Sequence, residues 1–210
     1  MSYFDDNSIA QIRQVMERIS GDASIYAVLE REGELSEKIR EFLSEFSEVT
    51  DRIKIYIYDK GDNAEVESKI ETSVFPAIAL IRGDGSFSGV SFHGLPAGHE
   101  LESFVLAIYN VAGPGQSISD SLLDKIKMID KPVNIKIGVN LSCTMCPDLV
   151  QACQRIAAMS ENISAAMLDL QYFPKMRKQY RVMSVPVIII DDKKTVFGKK
   201  SIEEVLELLI

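Results

Sequence analysis

The feature that most restricts how this chain folds is a repeat at an offset of 110 residues. Ile25 matches Ile135, Asp59 matches Asp169 and Pro76 matches Pro186, so the aspartate-to-proline interval is the same in both copies. A register kept through three landmarks means that one order of elements is built twice. Periodicity supplies that order. In the first copy it predicts a helix over 7–20, a strand in SIYAVLE, an amphipathic helix in ELSEKIREFLSEFSEV and an alternating strand in RIKIYIYD. The polar stretch KGDNAEVESKIETS follows, then strands in VFPAIALIR and GVSFHG around the turn residues GDGS, and a helix in GHELESFVLAIYNVA.

GPGQS at 113–117 interrupts the pattern, and the plan then begins again. A helix in SDSLLDKIKMID leads to a strand in VNIKIGV, a helix from about Cys146 to Met159 and a strand in ISAAMLD. A short helix near 173–180, strands in VPVIIID and KTVFG and a helix in SIEEVLELL complete it. Residues 1–112 and 118–210 are therefore expected as two α/β units. In each, strands that cross over through helices and then turn back in a hairpin predict a mixed sheet with helices on both faces. Both copies place a proline at the head of a buried strand, in SVFPAI and SVPVI, where a cis bond in a tight turn is the expected solution.

Charge separates the copies. Residues 1–112 hold 10 Lys and Arg against 20 Asp and Glu, whereas residues 113–210 hold 13 against 11. The net charge of −8 argues against a nucleic-acid surface, which needs a clustered positive field. Three cysteines are too few for a secreted disulfide framework, and the first thirty residues show no signal sequence or membrane span. The cytoplasm is the expected compartment, where a Cys-x-x-Cys forms its disulfide transiently, as part of chemistry.

That chemistry is expected in VNLSCTMCPDLVQACQ, with Cys143 and Cys146 at the end of a strand. If the helix begins near Cys143, the two sulfurs lie on nearly one face, close enough for a disulfide. Cys143 then sits at the exposed tip, where the positive end of the helix favours its thiolate. Cys146, a turn further in, is shielded, and Pro147 is tolerated in the first turn. The thiolate of Cys143 would attack a partner disulfide, and Cys146 would resolve the mixed disulfide. Zinc would need four ligands, for which only Cys153, His93 and His99 remain, without suitable spacing. The spacing favours redox chemistry over a metal site or inert packing. Cys153 reads as a small buried apolar residue. In the first copy Gly33 and Ser36 stand where Cys143 and Cys146 stand in the second, so that copy cannot perform thiol chemistry.

LSCTMCPDLVQA, VMSVPVIII, GLPAGHELESFVLAIYNVAG and SLLDKIKMID together resemble the N-terminal domain of the alkyl hydroperoxide reductase flavoprotein, which is related to glutaredoxin-like protein disulfide oxidoreductases. The resemblance covers most of the chain. It implies two fused thioredoxin-like folds sharing one continuous mixed sheet, with a redox pair in the second only. By the same resemblance Cys143 is the attacking thiol, Cys146 its resolving partner and Pro186 a cis-proline beside them. Val185 offers backbone groups to an extended substrate segment, and Glu100 of the GHE sequence is an acid/base carboxylate facing the pair. From the residues alone Glu100 is an acidic first-turn residue of a helix, and His99 is structural.

The implied partners are a peroxiredoxin and a thioredoxin-reductase-like flavoprotein. The family continues into FAD- and NADH-binding regions, whereas GDGSFSG has the wrong spacing for a phosphate fingerprint and this chain stops at Ile210. FAD and NAD(P)H are thus expected only on a separate reductase, with no bound cofactor here beyond the Cys143–Cys146 disulfide. The alternatives are a general protein disulfide reductase or isomerase and a non-catalytic docking module.

Overall fold

In the computed structural model, which describes residues 2–70, 72 and 74–210, the strands join into one eight-stranded mixed sheet of order β2-β1-β3-β4-β6-β5-β7-β8. The N-terminal half runs α1 (Asp6–Met16), β1 (Ala23–Leu29), α2 (Glu34–Val49), β2 (Lys54–Asp59), α3 (Ala64–Lys69), β3 (Ala77–Arg82) and β4 (Phe87–His93). One 3-10 turn (Gly98–Glu100) then leads into α4 (Leu101–Ala112). The C-terminal half runs α5 (Asp120–Lys127), β5 (Val133–Val139), α6 (Cys146–Ala158), β6 (Ile163–Asp169), α7 (Pro174–Gln179), β7 (Val187–Ile190), β8 (Lys194–Phe197) and α8 (Ile202–Leu209). The repeat survives to the residue in three places: β1 against β5, α3 against α7, and the C-terminal ends of β2 and β6 at Asp59 and Asp169.

Each half pairs its first two strands in parallel and its hairpin antiparallel to the first strand. The halves meet where β4 runs parallel to β6, with Val90 opposite Ala165 and His93 opposite Leu168. β4 comes close enough to β6 that a Cβ on Gly89, which has a φ of 81°, would collide with the Ile163 carbonyl oxygen. A β-branched strand former would not fit there.

Alternation along the strands sorts the side chains between two faces. Ile135, Ile137, Val139, Ile188 and Ile190 point into the large core under α1, α2, α4, α5, α6 and α8. Val28, Ala77, Ala79 and Ile81 point the other way, against Val66 and Ile70 at α3, and Leu168, Leu170, Val187 and Ile189 meet Val182 and Met176 at α7. Both faces are thus covered, with the longer helices on one side. The large core crosses the junction without a break. Phe92 of β4 packs edge-on to Phe104 of α4 at 5.4 Å, and Phe104 meets Phe42 and Phe46 of α2 at 5.5 and 5.3 Å. Two polar contacts reinforce the junction: Gln154 of α6 donates to the Ser91 carbonyl, and Arg82 donates to that of Ala158.

The polar stretch 60–73, read as irregular in the sequence, contains α3. Asn63 caps this helix by accepting from the Val66 N–H at 3.1 Å, and Val66 is its one buried residue. A single apolar anchor leaves no periodicity to detect. Glu71 and Ser73 of that stretch lie outside the described residues. The helix expected over 7–20 ends at Met16, because Ile19 and the following turn fold back so that the Ser20 and Gly21 N–H groups donate to the Gly113 and Ala112 carbonyls at the end of α4. Peptide bonds 75–76, 113–114 and 185–186 are cis, two of them at the expected strand heads.

Candidate redox site

β5 delivers its chain to the surface at Val139, and the next four residues form a tight turn. The Asn140 side chain accepts from the Ser142 N–H at 2.9 Å and its hydroxyl at 2.7 Å, while the Cys143 N–H donates to the Asn140 carbonyl at 2.8 Å. This turn occupies residues expected to be helical: α6 starts at Cys146, not near Cys143. An asparagine side chain that satisfies the loop's N–H groups competes with the helix for them. Pro147 falls in the first turn of α6, where its missing N–H costs nothing.

Cys143 and Cys146 form a disulfide, with Cα atoms 5.5 Å apart. Cys143 is partly exposed and Cys146 is completely buried. An outer sulfur open to a partner and an inner one sealed from it is the asymmetry that thiol–disulfide exchange uses. Met145, between them, is 54% exposed, and Met183, just before the second strand-head proline, is 81% exposed. Asp148 in the first turn of α6 forms an exposed ion pair with Lys199.

Val187 sits opposite Gly138, so Pro186 comes beside the end of β5, from which the Cys143 turn leaves. Pro186 is buried and Val185 partly exposed. The Pro186 carbonyl accepts from the Gly198 N–H, whereas the Val185 backbone makes no backbone hydrogen bond among the described residues. The corresponding loop in the N-terminal half is tied down. His93 Nδ1 donates to the Val74 carbonyl at 2.9 Å, leaving Nε2 to accept from the Ser91 hydroxyl at 3.2 Å. Burial pushes the His93 pKa down to about 4, so the ring is neutral.

Glu100 comes from the N-terminal half and reaches the site because the 3-10 turn packs against α6, with Gly98 beside the Leu141 carbonyl. Its side chain is fully buried, and neither carboxylate oxygen has a hydrogen-bond partner among the described residues. Burial raises its pKa to about 7; the charge of Asp169 adds to the rise, and the adjacent Ser103 hydroxyl offsets part of it without completing a hydrogen bond. Asp169, noted in the sequence only as a landmark of the repeat, is also fully buried. The available signal was a carboxylate closing the apolar strand ISAAMLD. His99 is exposed. Cys153 is free and buried in α6, and burial raises its thiol pKa. No cluster of three or more metal-ligating side chains occurs among the described residues. GDGSFSG forms the β3–β4 hairpin turn and the start of β4; with no helix N-terminus behind it, it does not fit a nucleotide phosphate.

Residues 133–210 match the family model of a thioredoxin domain. Over 199 residues the chain is 29% identical to the alkyl hydroperoxide reductase flavoprotein AhpF of Staphylococcus epidermidis and 28% identical to that of Staphylococcus aureus, covering 95% of this chain. It spans 36% of the length of these curated relatives. Among solved structures, the NTD_N/C domain of alkylhydroperoxide reductase AhpF from Enterococcus faecalis is 33% identical with a TM-score of 0.94, covering 99% of this chain and 100% of that one. A point mutant of AhpF from the same organism gives 32% and 0.94, with all of both chains covered. A protein disulfide oxidoreductase from Aeropyrum pernix, at 22% identity and a TM-score of 0.86 over 100% of this chain and 93% of that one, shares the fold.

Proposed function

Because this chain belongs to the family of the N-terminal domain of the alkyl hydroperoxide reductase AhpF, we propose that it is a thiol–disulfide oxidoreductase relaying electrons from a flavoprotein reductase to a peroxiredoxin in the cytoplasm. The observation that carries this reading is the disulfide with a reachable outer sulfur and a sealed inner one. The unit at 118–210 performs the chemistry, and the unit at 1–112 supports it and contributes Glu100.

In the reduced protein the Cys143 thiolate attacks one sulfur of the peroxiredoxin disulfide, and the other sulfur leaves as a thiolate that takes a proton. Cys146 gives its proton to the Glu100 carboxylate and attacks Cys143. The Cys143–Cys146 bond forms, the mixed disulfide breaks and the second partner thiolate leaves. Two electrons and two protons have passed to the partner. The Val185 backbone, free of internal backbone bonds and held at the cis-proline, pairs with the extended segment around the partner's cysteine. Flavin and nicotinamide supply the reducing hydride equivalents on the reductase, and no step on this chain passes through them.

The test mixes reduced protein with a stoichiometric amount of disulfide-form peroxiredoxin and counts thiols. Rapid two-electron transfer is expected, abolished by Cys143→Ser and arrested as a mixed disulfide by Cys146→Ser. Reduction of insulin with no reaction toward the peroxiredoxin would make the chain a general disulfide reductase instead.

A further inference from the structure

The repeat provides an internal control for Asp169. Its counterpart Asp59 also ends a strand, but it is half-buried and ion-paired with Arg40 of α2. In α6 the position 110 residues beyond Arg40 is Val150, which is fully buried. Asp169 therefore lacks the cation that its twin has. Its Oδ1 accepts from the Gln171 N–H at 3.1 Å, and its Oδ2 has no partner among the described residues.

Two approaches fix Asp169 near Glu100. It lies opposite Val139, the residue that begins the turn to Cys143. It is also pressed from the other half by Gly94, where a Cβ would come within 2.7 Å of the Asp169 Cβ. Gly94 begins the segment that ends at Glu100, and Gly98 of that segment faces the Leu141 carbonyl. The two carboxylates thus flank the turn that carries the disulfide, one from each half of the molecule.

Building on the role given to Glu100 above, we propose that Asp169 is a positioning residue for that chemistry: the two buried carboxyl groups form one acid pair across the junction and hold a single proton between them. Two carboxylates cut off from water and from cations do not both ionise readily, so the first charge makes the second group a stronger base. When Cys146 must attack, its proton passes to Glu100, and the Asp169 charge makes Glu100 basic enough to take it. Once the Cys143–Cys146 bond has formed, that proton leaves to water. The directions agree, because burial raises both pKa values and the Asp169 charge adds to the rise at Glu100. Other charged groups on the packed elements are the exposed His99 and Glu102 and the ion-paired Asp148, while His93 is buried and neutral.

Carbon-13 carboxyl titrations of the oxidised protein test the pair directly. In the wild type, Glu100 and Asp169 are expected to titrate in two steps with shared midpoints. In Asp169→Asn, Glu100 is expected to titrate in one step, at a pH lower by at least about half a unit. The second readout is the rate at which Cys146 resolves the mixed disulfide formed from reduced protein and an aromatic disulfide; its pH midpoint should fall by a similar amount. Independent one-step titrations in the wild type would overturn the pair even if Asp169→Asn does not fold, and so would a Glu100 midpoint unmoved by that substitution. A resolution profile that responds to Glu100→Gln but not to Asp169→Asn removes the role of Asp169 alone. A profile that Glu100→Gln leaves unmoved removes the assignment of Glu100 itself, and the proposal with it.

Discussion

α2 and α6 occupy equivalent places in the two halves and open on different residues. α6 follows a turn bearing Cys143 and buries Cys146; α2 follows Gly33 and buries Ser36. A small side chain fills the inner position in both, so the packing is satisfied whether or not the atom there is a reactive sulfur. The loops at the strand-head prolines differ likewise. His93 binds the Val74 carbonyl in the N-terminal half, whereas the Val185 backbone in the other half is free of backbone partners among the described residues. The third difference is the aspartate ending the second strand, paired with arginine in one half and without a cation in the other. The comparison separates what the fold needs from what the chemistry needs: a small buried residue at the head of the helix serves the first, and three local changes serve the second.

The sharpest way to break this comparison is to move the cysteines. Cys143→Ser is expected to lower electron transfer at least about a thousandfold, or ~4 kcal/mol. Adding Gly33→Cys and Ser36→Cys to that variant is expected to restore nothing, because the loop beside them is already bonded to His93. Activity recovered in the triple variant, read by insulin reduction, would show that the two halves differ only in their sulfurs.

Next in size is the junction. Phe92→Ala removes a fully buried ring between β4 and α4 and is expected to cost about 3–5 kcal/mol. Because one core runs through both halves, a single unfolding transition is expected for Tyr26, Tyr56 and Tyr58 fluorescence and for the exposure of Cys153 to a thiol reagent. Two separated transitions would mean that the halves are independent.

Glu100 gives a smaller effect with a definite sign. Its raised pKa means that the native state binds the proton more tightly than the unfolded chain does. The resulting stabilisation is full below about pH 4.5 and is lost as pH rises through about 7. Glu100→Gln should therefore stabilise the protein by about 2 kcal/mol at pH 8 and change little at pH 4; urea melts at the two pH values give the difference. The smallest effect belongs to the ion pair of Lys199 with Asp148, which is exposed on both sides. Lys199→Ala is expected to cost less than about 1 kcal/mol by the same melts.

Strands with one face in each core were legible to the residue, as VNIKIGV and ISAAMLD show, and so was α2, whose apolar stripe spans four turns. The cysteine spacing identified the disulfide. What escaped depended on single residues. α3 has one apolar anchor and an asparagine cap, and the start of α6 was moved three residues by the side chain of Asn140. Glu100 looks like any acid in a first turn; only a family resemblance pointed to it, and its burial follows from packing between halves that local sequence does not encode. Asp169 was visible as a matching letter in the repeat, but its isolation comes from the change of Arg40 to Val150, which a list of matching positions passes over.

The parallel joint between β4 and β6 also bears on how the molecule can be divided. Cutting the chain in the 113–117 segment would leave β6 as an open edge seven residues long, with the N–H and C=O groups that had faced β4 left bare. No lysine, arginine or proline interrupts ISAAMLD, and its one charge comes at its last residue. Such an edge is a template for strand addition by neighbouring chains, so the catalytic half prepared alone should be prone to aggregation. The half without cysteines thus also serves as a permanent cover that keeps the active half in solution.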